Sequence, residues 1–477
     1  LYLHFAATAL LVAGATGAHA SDLVAPDEAA SRSIQSIIED YVQAGTASNL
    51  ALADQSLEVE RSQAALAAAR ARFLPEVALD ARYTRADGGR EITLPLGQLL
   101  NPAYQTLNDL LVASGAAPRF PAVRDEVIAL QRPREQDTRI TLRQPLYAPA
   151  VPAGVAAARA AASAADDGRL AYLRALRRDI SVGYLDWLRA RGATQIVTAS
   201  AALLAENLRV NESLYANGKS THDAVLRAQA EWLAVQQQQQ EAENTASQAR
   251  SYVNFLLNRR LDTPLEAALP FTGATVAGAT LAPTLAVAPV AEATRTALDS
   301  RPELQQLAQA QLAADAQLRV ARAARKPSLS LGVDAGTQGE TYGLGRNYNF
   351  VTGSLVLNWT LFDAGAHNAA IAQARVASRH LANQREQAAA RIELEVRQAG
   401  DNLLTASESL ATATARATAA RAAFTIASRR RDAGMASQLE FLDARSALTS
   451  AELGENLGRY ALLQRQAEYD YARGDLP

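Results

Sequence analysis

Cysteine is absent from the 477 residues, which removes disulfides, thiolate zinc sites, iron–sulfur clusters, thiol catalysis and a lipidated N-terminal cysteine together. The five histidines offer little replacement, because His4 and His19 fall in the N-terminal leader and His222, His367 and His380 lie apart, without H-E-x-x-H spacing. No metal, cofactor or catalytic centre is expected. Charge of one sign is lacking too: 47 basic side chains stand against 49 acidic ones, so a nucleic-acid partner is not expected. Aromatics are only 5%. Proline is missing between Pro152 and Pro264 and again between Pro327 and Pro477, gaps that can hold very long helices. After Ser21 no apolar run reaches the ~18 residues of a spanning helix. The nearest, Thr275 to Ala291, is interrupted by Gly278, Pro283 and Pro289.

Residues 1–20 carry an apolar run through Ala13 and a small-residue end, Ala18-His19-Ala20. That is the A-x-A pattern of a cleaved signal peptide, with Ser21 as the expected mature start. An exported chain without spanning helices is periplasmic, secreted or a barrel in the outer membrane.

The chain also matches itself. The block from Asn49 to Pro75 aligns with that from Arg301 to Pro327, pairing Leu52 with Leu304, Leu66 with Leu318 and Leu79 with Leu331. Leu142-Arg-Gln-Pro-Leu146-Tyr147 aligns with Leu357-Asn-Trp-Thr-Leu361-Phe362, and Tyr215-Ala-Asn-Gly218 with Arg431-Asp-Ala-Gly434. The order is preserved. Two copies of a helix, strand, strand, helix, turn, helix unit are expected, over about 30–262 and 292–474, joined by a Pro- and Ala-rich linker near 262–292.

Strict alternation marks four strands, near 76–85, 137–146, 328–335 and 350–362. Val77, Leu79, Ala81 and Tyr83 oppose Ala78, Asp80, Arg82 and Thr84, and Leu355, Leu357 and Trp359 oppose Ser354, Asn358 and Thr360. Strands of this length suit an outer membrane with lipid on one face and water on the other, although a half-buried soluble sheet alternates in the same way. The connectors 86–136 and 336–349, rich in Gly, Pro and Asn, are expected as loops. Four strands cannot close a barrel, so membrane placement forces an oligomer.

The Pro-free runs Ala153–Asn217 and Ala366–Ala433 would each be about 100 Å long as helices. Leu173, Leu176, Ile180, Tyr184 and Trp187 in one, and Val396, Leu403 and Leu410 in the other, follow coiled-coil spacing. Gly218 and Gly434 suit helix ends, Ser437-x-x-Glu440 is a capping box, and Ser220-x-x-Asp223 is a weaker one. Gln236–Gln240 reads as a solvated helix face. Tyr342-Gly-Leu-Gly345 lacks the third glycine and the strand-to-helix setting of a dinucleotide loop.

The duplicated helix with Arg301-Pro302-Glu303-Leu304, the duplicated strand-to-helix junction with Leu361-Phe362-Asp363-Ala364-Gly365 and the duplicated glycine tip, in order behind a signal peptide, resemble the TolC-type outer membrane efflux proteins over nearly the whole mature chain. The resemblance implies an α+β membrane protein. It would be a homotrimer whose protomers give four strands each to one twelve-stranded β-barrel, continued by a long α-helical periplasmic barrel. It also implies a passive exit duct in the outer-membrane lipid of a Gram-negative bacterium, opened by a periplasmic adaptor (membrane fusion protein) and an inner-membrane transporter, with no enzymatic activity. The family's periplasmic aperture is ringed by acids six and nine positions past the second tip glycine, which are Glu440 and Asp443 here; Glu440 also has its capping role. Tyr215, Gly218, Arg431 and Gly434 are the expected docking tips. The competing reading is a periplasmic coiled-coil adaptor or structural rod, against which the doubled strand pair speaks.

Overall fold

The computed structural model describes residues 32–268, 275–276, 279–280, 288–343 and 345–475. The expected signal peptide and much of the expected linker lie outside these residues. Helices α1 (Ile34–Ser48) and α2 (Leu50–Ala71) lead into β1 (Glu76–Arg85). An excursion through β2 (Glu91–Leu94), α3 (Leu96–Ala113) and β3 (Glu126–Ala129) returns to β4 (Arg134–Tyr147), which feeds α4 (Ala150–Ala216) and α5 (His222–Leu256). A short ladder of β5 (Thr275–Val276) and β6 (Ala279–Thr280) follows, and then α6 (Val290–Ser300). The chain continues through α7 (Pro302–Ala323), β7 (Ser328–Gly339), β8 (Asn349–Asn358), α8 (Ala366–Asp432) and α9 (Gln438–Arg473).

The two longest helices, α4 and α8, have 67 residues each, about 100 Å at ~1.5 Å per residue. Both are rich in alanine, which loses no side-chain entropy in a helix. α4 starts ahead of Pro152 because proline is tolerated in a first turn. α8 starts behind Gly365, whose φ is +92°, and the Asp363 carboxylate accepts from the N–H groups of Gly365 (3.1 Å) and His367 (2.6 Å). Each long helix pairs with its hairpin partner, α4 with α5 and α8 with α9, and α4 also packs on α2, α7 and α9.

Two shorter helices meet end to end beside α4. Asn49 caps α2, accepting from the Leu52 N–H at 2.9 Å, while its amide donates 2.9 Å to the Leu256 carbonyl at the end of α5. The matching N-cap position of α7 is Arg301, where a cation replaces the amide. Arg301 is 5% exposed, donates to Glu303 (3.0 Å) and Glu395 (2.8 Å), and lies 5.3 Å from the Tyr471 ring. The main core surrounds this level: Ile37 and Tyr41 of α1 pack on Leu176, Ile180, Tyr184 and Trp187 of α4 and on Val253 of α5. A second cluster joins Ala293 and Ala297 of α6 to Ile392 and Val396 of α8.

The main sheet has the order β1-β4-β7-β8, all antiparallel. The connections to α2, α4, α7 and α8 all lie at one end of it, so the β1–β4 and β7–β8 connections lie at the other. Three expectations need correction. β7 continues to Gly339, four residues into the segment 336–349 expected as a loop, because Gln136–Arg139 of β4 offer those residues partners. The segment 86–136 is not a plain loop: it holds β2, β3 and the 18-residue α3, whose leucine spacing outweighs its single interior Pro102. β8 stops at Asn358 rather than near 362, because its partner β7 begins at Ser328, opposite Asn358, and offers nothing beyond it.

Candidate functional site

The sheet separates its side chains by polarity. On one face, Val77, Leu79, Tyr83, Ile140, Val351, Leu355 and Leu357 are all exposed, forming an apolar surface that soluble monomers rarely show. On the other, the register sets Asp80 opposite Arg139 and Arg82 opposite Asp137. Asp137 is 3% exposed; it pairs with Arg139 and has the Arg82 guanidinium at 3.6 Å. Gly336 lies opposite Arg139, and a Cβ there would sit 2.3 Å from the Thr138 carbonyl oxygen, so only glycine permits this close strand approach. Where the sheet meets the helices, Phe73, Tyr147, Trp359 and Phe362 are exposed, and the Trp359 indole N–H is satisfied by the Arg325 carbonyl at 3.1 Å. Aromatic side chains at such a level suit a membrane–water boundary.

The hairpin tips lie at the opposite end of the molecule. At the first, Gly218 has φ +66°, its N–H donates to the Tyr215 carbonyl (2.9 Å) and Lys219 N–H to Leu214 (2.8 Å). At the second, Gly434 has φ +70°, its N–H donates to Arg431 (2.8 Å) and Met435 N–H to Arg430 (2.8 Å). These are left-handed helix stops of one design. The restarts differ. Ser437 and Glu440 form the expected capping box, with bonds of 3.2 and 3.1 Å. In the first hairpin the N-cap is Thr221, with no side-chain cap bond, and the expected Ser220 box does not form; Asp223 instead pairs with Arg227 at 3.1 Å.

Of the expected site residues, Tyr215, Gly218, Gly434, Glu440 and Asp443 are exposed. The Tyr215 ring lies 5.2 Å from His222. Arg431 turns inward: its guanidinium lies 3.8 Å from the Phe441 ring centroid and donates to Asn207 of α4 at 3.4 Å.

That last bond belongs to a polar seam between the two hairpins. Ser200 of α4 meets Thr449 of α9 at 3.2 Å and accepts from buried Arg445 at 3.4 Å, while Asn456 of α9 donates 2.8 Å to the Arg189 carbonyl. Burial pushes the Arg445 guanidinium below its ordinary value, against the raising effect of Glu452. The seam was missed in the sequence. Its only signal is polar residues at Ser200, Asn207 and Asn211, on the stripe that elsewhere carries Val197 and Leu204.

Among the described residues no group of three or more His, Asp or Glu side chains could hold a metal within one chain, and no helix is long and apolar enough to cross a membrane. The bare apolar face belongs to the sheet.

A bare apolar sheet face carried on long helical hairpins suits a protein of the outer membrane. The chain belongs to the outer membrane efflux protein family, whose sequence model matches residues 41–259 and 293–472. Its place is the Gram-negative outer membrane, as a channel and not an enzyme. Similar solved structures include the Campylobacter jejuni CmeC outer membrane channel (TM-score 0.75, 15% identity, 92% of this chain and 85% of that one). They also include the outer-membrane channel OprN (TM-score 0.73, 17% identity, 92% and 90%). A third is the open state of the Neisseria gonorrhoeae MtrE outer membrane channel (TM-score 0.72, 18% identity, 92% and 88%). No curated protein sequence matches the chain.

Proposed function

We propose that three copies of this chain close a twelve-stranded barrel, each joining its β1 edge to the β8 edge of the next, and that the helices continue the barrel as a periplasmic duct. The observation that carries this reading is the open four-stranded sheet with a bare apolar face and two free edges, β1 and β8. Backbone groups on such edges have no water to bond within hydrocarbon, so closure by further copies is the physical remedy. A periplasmic adaptor or rod would have no use for such a face. The like order of α2, β1, β4, α4, α5 and α7, β7, β8, α8, α9 is read as two internal copies, each supplying one strand pair and one hairpin. The solution mass in mild detergent tests the assembly: three subunits are expected, and a lone subunit refutes it.

In this assembly the hairpin tips with Tyr215, Gly218, Arg431 and Gly434 face a periplasmic adaptor that links the duct to an inner-membrane pump. Glu440 and Asp443 form the acidic ring of the aperture. Both are exposed, and the capping bond of Glu440 engages its Oε2, leaving Oε1 free to face a cation. Three copies bring six carboxylates around one axis. At ~8 Å each pair repels by about 0.5 kcal/mol in water, or about 2 at an effective dielectric of 20. Such a ring gathers multivalent cations. Conductance of the Glu440→Ala/Asp443→Ala double variant in planar bilayers is expected to lose most of its block by divalent or trivalent cations, and unchanged sensitivity removes the assignment.

A further inference from the structure

The α3 excursion at the outer end of the sheet is not absorbed by the conduit reading. One side of α3 is strapped down by its own chain. The Gly97 N–H donates to Asp125 at 2.8 Å, Asn101 exchanges bonds with Val123 (2.7 and 2.9 Å), and Asn108 accepts from the N–H groups of Arg119 and Phe120 (both 3.0 Å). Tyr104 stacks on Phe120 at 5.3 Å, and a Cβ at position 97 would stand 2.7 Å from the Val123 carbonyl oxygen. Gly97, Asn101, Tyr104 and Asn108 therefore form a single covered face, and the strap holds the helix in one orientation.

Beside the strapped face, roughly 100° round the helix, runs a stripe that is apolar and uncovered. Leu96, Leu100, Ala103, Leu107 and Leu110 recur at alternating spacings of four and three residues, and all are exposed, with Leu110 at 63%. That spacing is the seam of a coiled coil, a surface complementary to another copy of itself. Between Leu96 and Pro118 the only charged residue is Asp109, so copies meet little repulsion. The helix also has no Lys or Arg, which membrane-surface helices use to reach anionic headgroups. Finally, α3 follows directly from β1 and β2, and β1 is a free edge at which the next copy joins.

We infer that α3 is a self-association helix, its Leu96, Leu100, Ala103, Leu107 and Leu110 stripe packing on the same stripe of the other two copies at the sheet end remote from the hairpin tips. This rests on the trimer reading above and adds a second contact between copies, continuous with the strand-edge interface. The absence of native cysteine makes the test clean. In the full-length protein in detergent, Leu107→Cys is oxidised with copper phenanthroline beside Gln105→Cys, which lies on the opposite side of the helix. Most Leu107→Cys subunits able to pair are expected as disulfide-linked dimers within the trimer, at least fivefold more than for Gln105→Cys. A trimer of correct mass with equal, low cross-linking overturns the inference while the conduit reading stands. Quenching of a fluorophore on Leu107→Cys by spin-labelled lipid would then give the stripe to the membrane surface. A lone subunit overturns both.

Discussion

Arg301→Met removes the cation at the root of the second hairpin while keeping most of its aliphatic volume. The wild-type guanidinium donates to Glu303 and Glu395 at 3.0 and 2.8 Å and lies against Tyr471, so it ties α7 to α8 and α9. Stripping one member from a buried ion pair costs about 3–5 kcal/mol, largely because the remaining charge is left unpaired. Here the two carboxylates keep 28% and 34% of their side-chain surface, which places the loss at the low end, about 3 kcal/mol. For 477 residues the unfolding entropy is roughly 1 kcal/mol/K, so the melting midpoint should fall by about 3 °C. The effect also has a pH signature. Burial pushes the Glu303 carboxyl up, but the hydrogen bond and charge of Arg301 bring it, on balance, below its ordinary 4.5. A depressed folded value means that this contribution is complete above the unfolded value and is lost as pH falls through the folded one. Thermal unfolding followed by circular dichroism should therefore show wild type and variant separated at neutral pH and converging in acid, as pH falls through the depressed Glu303 value. A separation under about 1 °C at neutral pH, or one unchanged in acid, would refute the argument.

On the apolar sheet face, Leu79→Lys should cost about 2–4 kcal/mol if the residue sits near the bilayer midplane, seen as loss of heat-modifiable trimer from outer-membrane fractions. Ser354→Lys on the polar face should assemble normally; equal defects would show that the two faces do not meet different media. Gly336→Ala drives a methyl to within 2.3 Å of the Thr138 carbonyl, so it should lower assembled trimer more than Gly353→Ala, where a Cβ meets nothing within 4 Å. At the tip, Gly434 also has open space around its Cβ. Gly434→Ala should then cost only the left-handed backbone penalty, about 1–2 kcal/mol, and Gly434→Asn less, read as faster hydrogen exchange of the Gly434 and Met435 N–H groups that close the last turn of α8.

What was legible in the sequence was local or periodic. The capping box at Ser437 and Glu440 joins residues three positions apart, and the Gly218 and Gly434 stops rest on backbone handedness, so both are written in neighbouring residues. The alternation at Val77 to Tyr83 belongs to a strand wherever that strand is placed. α3 was hidden because Gly97, Asn101 and Pro102 read as loop chemistry, yet in the structure Gly97 and Asn101 are the face that receives the strap of residues 119–125. Arg431, expected at the docking tip, sets its guanidinium against Phe441, ten positions on, a contact that its neighbours in the chain do not announce.

The sequence alone determined the long helices, their stops, the four strands and the polarity of each strand face, because these follow from proline gaps, left-handed glycines and a side-chain period of two. Only the tertiary structure decided the strand order, the Arg301 and Asn49 junctions and the polar seam from Ser200 to Arg445. Each of those joins residues far apart in the chain, and contact at such separation is set by how whole elements pack.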